Sequence, residues 1–292
     1  MAKLFVHIGL PKTATTTLQR DLFPVFCEAN GWDYGGLRYP RNWNLSENSL
    51  YGAFMNGVYF GRYELFSDQL SQRADPIRPV LLSDEMITVS TSRSTWKHNL
   101  ENLKALLEGE DYRILVTLRP PVDAIFSYYL ERYDYFKRAY GRFSEDLLKS
   151  EDMEIYRYSE FIPRLEANFD PDRLHYASIG QISHLKFSNI EAFLGEPILV
   201  DQPLANHNRK EKADGRVKLT SQGNFYSSLA SAARQLKLNS MRSAAKALSA
   251  PIKPVLEKLS WSRHVPVLSV GERERYDVLL KPDSDKFHSL LS

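Results

Sequence analysis

Apolar residues follow two different periods along the chain. Four short runs rich in Leu, Ile and Val are bounded by turn-forming or charged residues: Leu4-Phe5-Val6-His7-Ile8, Pro79-Val80-Leu81-Leu82-Ser83, Arg113-Ile114-Leu115-Val116-Thr117-Leu118 and Arg173-Leu174-His175-Tyr176-Ala177. Runs this short, with no polar alternation, read as strands buried on both faces. Between them the apolar period is helical, over Trp96 to Leu107, Val122 to Tyr140 and Tyr156 to Asn168, and Leu18 with Leu22 marks a helix after the first run. Strands alternating with helices predict an α/β fold of three layers, a central parallel sheet flanked by helices. From Pro203 the pattern changes to a polar, basic loop. A helix-like segment then places Leu229, Ala233, Leu236, Ala244 and Leu248 on one side, before Pro251 and Pro254. The expectation is one domain over 1–292, with a basic loop and a mainly helical C-terminal lid within 203–260.

A length of 292 residues suits one large α/β domain. The net charge of +2 says nothing about partners, but its distribution does. Gly215 to Leu256 contains no Asp or Glu, yet carries Arg216, Lys218, Arg234, Lys237, Arg242, Lys246 and Lys253. Such a field suits an anionic ligand or surface, or else one solvated helix face. Cys27 is the only cysteine, which excludes an intrachain disulfide and a metal-thiolate cluster. The apolar run at Met1 to Ile8 is too short for a signal peptide core. No stretch approaches the roughly 18 apolar residues of a membrane span, so a cytoplasmic location is expected.

The densest chemistry follows the first strand, in His7-Ile8-Gly9-Leu10-Pro11-Lys12-Thr13-Ala14-Thr15-Thr16-Thr17-Leu18-Gln19. A strand turning into a helix presents free backbone N–H groups and the positive end of the helix dipole, which together attract an anion. Lys12 adds a charge, and Thr13, Thr15, Thr16 and Thr17 add hydroxyl donors. One Thr would serve as an N-cap; a Lys and four Thr exceed that need. A nucleotide-triphosphate loop requires Gly before its Lys. Pro11 stands there, without an N–H and with a fixed φ.

Pro11 to Leu18 resembles the 5'-phosphosulfate-binding loop of sulfotransferases that use 3'-phosphoadenosine-5'-phosphosulfate (PAPS), whose pattern is Pro-Lys-(Thr/Ser)-Gly-Thr-(Thr/Ser)-x-Leu. Ala14 replaces the Gly, which is tolerable at negative φ, whereas a positive φ there counts against the assignment. Arg119-Pro120-Pro121-Val122-Asp123-Ala124-Ile125-Phe126-Ser127 is similar to the family's 3'-phosphate segment, with Arg at a strand end and Ser eight residues later on a helix. Asn206-His207-Asn208-Arg209-Lys210, with Gly215 beyond, resembles its basic loop, although Glu211 stands where Gly is usual. Tyr158-Ser159-Glu160-Phe161, Asp172-Arg173-Leu174, Phe193-Leu194-Gly195 and Val270 to Arg275 resemble other parts of the family. The stretch least like it is Trp32 to Arg78.

The resemblance implies a P-loop-like fold and sulfuryl transfer from PAPS to an acceptor hydroxyl, leaving adenosine 3',5'-bisphosphate (PAP) and using no metal. It implies donor binding by Lys12, Thr13, Ala14, Thr15, Thr16, Thr17, Arg119, Ser127, Arg209 and Lys210. Lys12 is the candidate for stabilising the leaving phosphate. The acceptor's base is to be sought among Glu85, Asp84 and His7, with Glu85 preferred because it is read as ending the second strand, Val80 to Glu85, at the edge where open α/β sheets bind ligands. Asp84 and Glu85 could instead cap the next turn, and His7 could be a satisfied core histidine. A saccharide or glycolipid hydroxyl is the first expectation for the acceptor, with Trp43, Tyr51, Phe54, Tyr59 and Phe60 as stacking or core residues; no nucleic acid is expected. Two rivals remain. One is a P-loop kinase or NTPase with Asp84 as a Walker B ligand for Mg²⁺. The other is a binding module for an anionic polymer or nucleic acid, resting on the acid-free basic segment after Gly215.

Overall fold

The computed structural model describes residues 3–37, 48–92, 94–199, 212–213, 216–221 and 261–291. The four apolar runs are strands: β1 Lys3–His7, β3 Val80–Ser83, β4 Asp111–Leu118 and β5 Leu174–Ser178. A two-residue edge strand, β2 Asp33–Tyr34, completes a parallel sheet of order β2-β3-β1-β4-β5. Two residues leave no periodicity to read, so β2 was not expected.

Alternation along the strands creates two buried faces. On one, Phe5, Leu81, Leu115 and Ala177 pack with Leu18, Leu22, Phe23 and Phe26 from the helical run after β1, and with Ile190 and Phe193 of α11 (Ser188–Leu194). On the other, Leu4, Val6, Leu82, Ile114, Val116 and Leu118 are equally buried. Gly35, beside Leu82 and Leu50, places α3 (Leu50–Phe60) on that side. The three-layer expectation holds, and no described helix is long and apolar enough to cross a membrane.

The helical elements in chain order are α1 Thr15–Thr17, a π turn Leu18–Leu22, α2 Phe23–Asn30, α3, α4 Tyr63–Ser71, α5 Trp96–Leu107, α6 Pro121–Glu131, α7 Tyr133–Tyr140, α8 Glu145–Leu148, α9 Tyr158–Asn168, α10 Ile179–Ser183 and α11. Two more, α12 Val270–Leu279 and α13 Lys281–Ser289, end the chain.

The helix expected over Val122 to Tyr140 breaks at Arg132, whose φ of −105° and ψ of 30° leave the helical region. Its guanidinium reaches the Tyr128 hydroxyl at 3.2 Å and Asp152 at 3.5 Å and lies over the Tyr135 ring. Tyr129, Tyr133 and Phe136 keep helical spacing across the break and still pack together, so periodicity hides it. The helix expected from Tyr156 starts at Tyr158, after a 3₁₀ segment Glu151–Tyr156.

The chain divides into two units, Met1–His207 with Gly271–Ser292, and Asn208–Val270. In the second, β6 Lys212–Ala213, β7 Arg216–Ser221 and β8 Trp261–Pro266 form an antiparallel sheet. The described residues within 203–260 are therefore strand. Arg209, Lys210, Gly215 and the helix read over Leu229 to Leu248 lie outside the described residues.

Candidate active site

The parallel strands β3, β1 and β4 lie side by side, so the loops leaving their carboxyl ends meet at one edge. Those loops carry Glu85, Lys12 and Arg119 respectively. The β1 loop is shaped by its backbone. Gly9 has φ +45°, and a Cβ there would fall 2.5 Å from Thr15 Cγ2, so no side chain fits. Lys12 and Ala14 both adopt left-handed φ, of 72° and 70°, and Thr13 between them does not. Successive residues of alternating hand turn their N–H groups toward a common concavity that can cradle an anion. Ala14 thus holds the conformation that favours the glycine of the family pattern, at a strain of about 1–2 kcal/mol. The helical run beginning at Thr15 follows it directly.

Arg119 donates from Nη1 to the Lys12 carbonyl at 3.4 Å, which brings the β4 segment against the β1 loop. Two tyrosines whose roles sequence did not reveal hold these loops. The Tyr156 hydroxyl donates to the Pro11 carbonyl at 2.8 Å. The Tyr158 hydroxyl donates to the Arg119 carbonyl at 2.8 Å and accepts from the Arg119 N–H at 3.3 Å. Burial pushes both phenols above the ordinary tyrosine range, keeping them neutral donors. The sequence signal was present only as the tyrosine beginning Tyr158-Ser159-Glu160-Phe161. Ser127 sits half-buried on α6, two turns from the Arg119 end. Lys12 Nζ lies 2.9 Å from Glu131 Oε2, at the far end of the same helix.

Beneath the loop a continuous hydrogen-bonded chain crosses the sheet. His7 bonds Ser83 Oγ through Nδ1 at 2.8 Å and Thr117 Oγ1 through Nε2 at 3.2 Å, and Thr117 meets Thr13 Oγ1 at 2.7 Å. Donor counting sets the direction. The Thr13 hydroxyl donates to the Leu10 carbonyl, so Thr117 donates to Thr13 and His7 Nε2–H donates to Thr117. His7 Nδ1 then accepts from Ser83, which accepts in turn from Gln19 Nε2 at 3.3 Å. The same amide donates to Glu85 Oε2 at 3.0 Å. His7 is fully buried, and desolvation lowers its pKa to about 3. It is a neutral, satisfied core histidine, without a lone pair left for an acceptor proton.

Asp84 caps the 3₁₀ turn Glu85–Thr88, its Oδ1 accepting from Met86 N at 2.8 Å. Its Oδ2 accepts from the Tyr51 hydroxyl, and burial with this carboxylate pushes the Tyr51 phenol up. Both oxygens thus have protein donors. Glu85 is 7% exposed and bonded to Gln19, at the carboxyl edge beside the β1 loop. Among the expected stacking aromatics, Phe54 is core against Phe66, Tyr51 serves Asp84, Phe60 is exposed, and Trp43 lies outside the described residues.

A cavity of about 920 Å³ opens along α2 and β2, with Gln19, Trp32, Tyr34, Arg73 and Arg78 in its lining. Arg73 and Arg78 both pair with Asp33, at 2.8 and 3.5 Å. Asp33 begins β2 and Arg78 precedes β3, at the strands' amino ends, while Gln19 in the same lining bonds Glu85.

No family model matches the chain, and no curated protein matches its sequence. Solved structures similar to it include a sulfotransferase from Alicyclobacillus acidocaldarius, at 14% identity over 71% of this chain and 85% of that one, with a TM-score of 0.42. The sulfotransferase domain from the curacin biosynthetic pathway matches at 14% identity over 68% and 75%, with a TM-score of 0.36. A mouse sulfotransferase complexed with PAP matches at 12% identity over 68% and 61%, with a TM-score of 0.33.

Proposed function

We propose that the chain is a sulfotransferase that takes the sulfuryl group of PAPS to an acceptor hydroxyl, with a saccharide or glycolipid as the first acceptor class to try. The observation that carries the reading is the meeting of the Lys12 loop, with its alternating backbone, and the Arg119 strand end. A concavity of N–H groups suits the 5'-phosphosulfate. Arg119, after β4, and Ser127, on α6, are proposed for the 3'-phosphate, since a guanidinium forks onto phosphate oxygens. Arg209 and Lys210, outside the described residues, are proposed as donor-binding residues on the sequence resemblance alone.

The donor supplies an activated sulfuryl group. Transfer breaks its S–O bond to the 5'-phosphate and forms one to the acceptor oxygen. The Lys12 ammonium offsets charge on the departing phosphate, and Glu85 takes the acceptor's proton. The kinase reading gives Asp84 to Mg²⁺, whereas here its oxygens cap the Glu85–Thr88 turn and accept from the Tyr51 hydroxyl. It also needs a glycine where Pro11 stands.

The test is PAP release from PAPS with a panel of saccharide and glycolipid acceptors, in EDTA and in Mg²⁺, beside an ATP turnover assay. Acceptor-dependent release that persists in EDTA is expected. ATP turnover that requires Mg²⁺, with none from PAPS, would favour the kinase.

A further inference from the structure

Lys12 is paired with a carboxylate from the helix that carries Ser127. Its Nζ lies 2.9 Å from Glu131 Oε2, with the lysine side chain 14% and the glutamate side chain 51% exposed. Glu131 is the last residue of α6 and stands one turn beyond Ser127, on the same helix face. Helix stability does not ask for it. A carboxylate in the last turn meets the negative end of the dipole, and that turn of α6 has no basic residue to offset it. Nor does the fold gain much, since a half-exposed pair contributes about 0–1 kcal/mol. Arg132, next in the chain, turns instead to Asp152 and Tyr128. The glutamate therefore places an anionic group on the Lys12 ammonium. That is the position an anionic ligand's oxygen would take.

We propose that Glu131 is an internal counterion of the donor site. It holds Lys12 while the site is free and yields it when the phosphate of PAPS or PAP arrives. This rests on the reading of Lys12 as a donor-binding residue. The exchange has a direction that a structural ion pair lacks: removing the charge at 131 strengthens anion binding, because the ligand no longer competes for Lys12.

The test is calorimetric binding of PAP to the wild type, Glu131→Gln, Lys12→Ala and the double variant, at low and high salt. Glu131→Gln is expected to bind PAP about two- to fivefold more tightly at low salt, the range of one exposed ion pair. The gain should shrink at high salt and vanish in the Lys12→Ala background. A gain of affinity cannot come from misfolding, so a fragile variant cannot imitate it. Unchanged or weaker binding by Glu131→Gln, where the wild type binds, overturns the counterion and leaves the donor site standing. An equal gain without Lys12 also overturns it, because the effect would then be long-range repulsion. A wild type with no affinity for PAP overturns the donor site and the counterion together.

Discussion

Lys12 and Glu85 divide the proposed chemistry between donor and acceptor, and single substitutions separate them. Lys12→Ala is expected to lower kcat about a hundred- to a thousandfold, the size of losing one transition-state donor, and to weaken PAPS binding as well. Glu85→Gln retains an oxygen to accept from Gln19 Nε2 but cannot take a proton. Its kcat should fall while PAPS affinity stays near that of the wild type. Full turnover in Glu85→Gln would remove it as base; lost PAPS binding would make it a support of the loop. Residues differ in how far the sequence revealed them. Lys12 and Arg119 stand out in the sequence because both follow strands in motifs whose chemistry is local. His7 was ambiguous, since a histidine in an apolar strand is either buried neutral or functional. Only its bonds to Ser83 and Thr117 decide between these. Gln19 gave no signal, because its partners Ser83 and Glu85 lie more than sixty residues away.

Between strand and helix, the site depends on how loops are pinned. The π turn Leu18–Leu22 inserts into the helical run after Thr17 and carries the buried Gln19 that meets Glu85. Such turns recur at functional positions, yet no residue pattern announces one. Tyr158 clamps Arg119 through both backbone groups, so Tyr158→Phe removes a donor and an acceptor from the partly buried residue after β4. Each such bond contributes about 0.5–1.5 kcal/mol. The variant is expected to lose about 1–3 kcal/mol of stability in urea unfolding, and to bind PAP more weakly as Arg119 is loosened. Unchanged stability with unchanged PAP affinity would show the clamp to be idle. The strands were legible because burial on both faces leaves unbroken apolar runs. Helix ends were less so: the apolar stripe continues through Arg132 although the backbone does not.

For the whole molecule, strand order decides what can work together. Placing β1 between β3 and β4 brings loops more than seventy residues apart in sequence to one edge. The alternation of strands and helices foretold the parallel sheet; it could not foretell β2, or the cavity beside it, since both depend on packing between distant segments. The C-terminal helices fasten back onto this unit through Arg273 with Asp123 at 2.9 Å and Asp283 with Ser159, linking α12 to α6 and α13 to α9. The central claim is that the edge between β1 and β4 reads two phosphates on one nucleotide. It is tested most directly by thermal unfolding with PAP and, separately, with AMP, which lacks the 3'-phosphate. Because Arg119 and Ser127 are assigned to that phosphate, PAP should raise Tm well above the AMP value, by mass action worth about 2.7 kcal/mol at a hundredfold excess over Kd. Equal shifts from the two nucleotides, or no shift from either, would contradict the assignment.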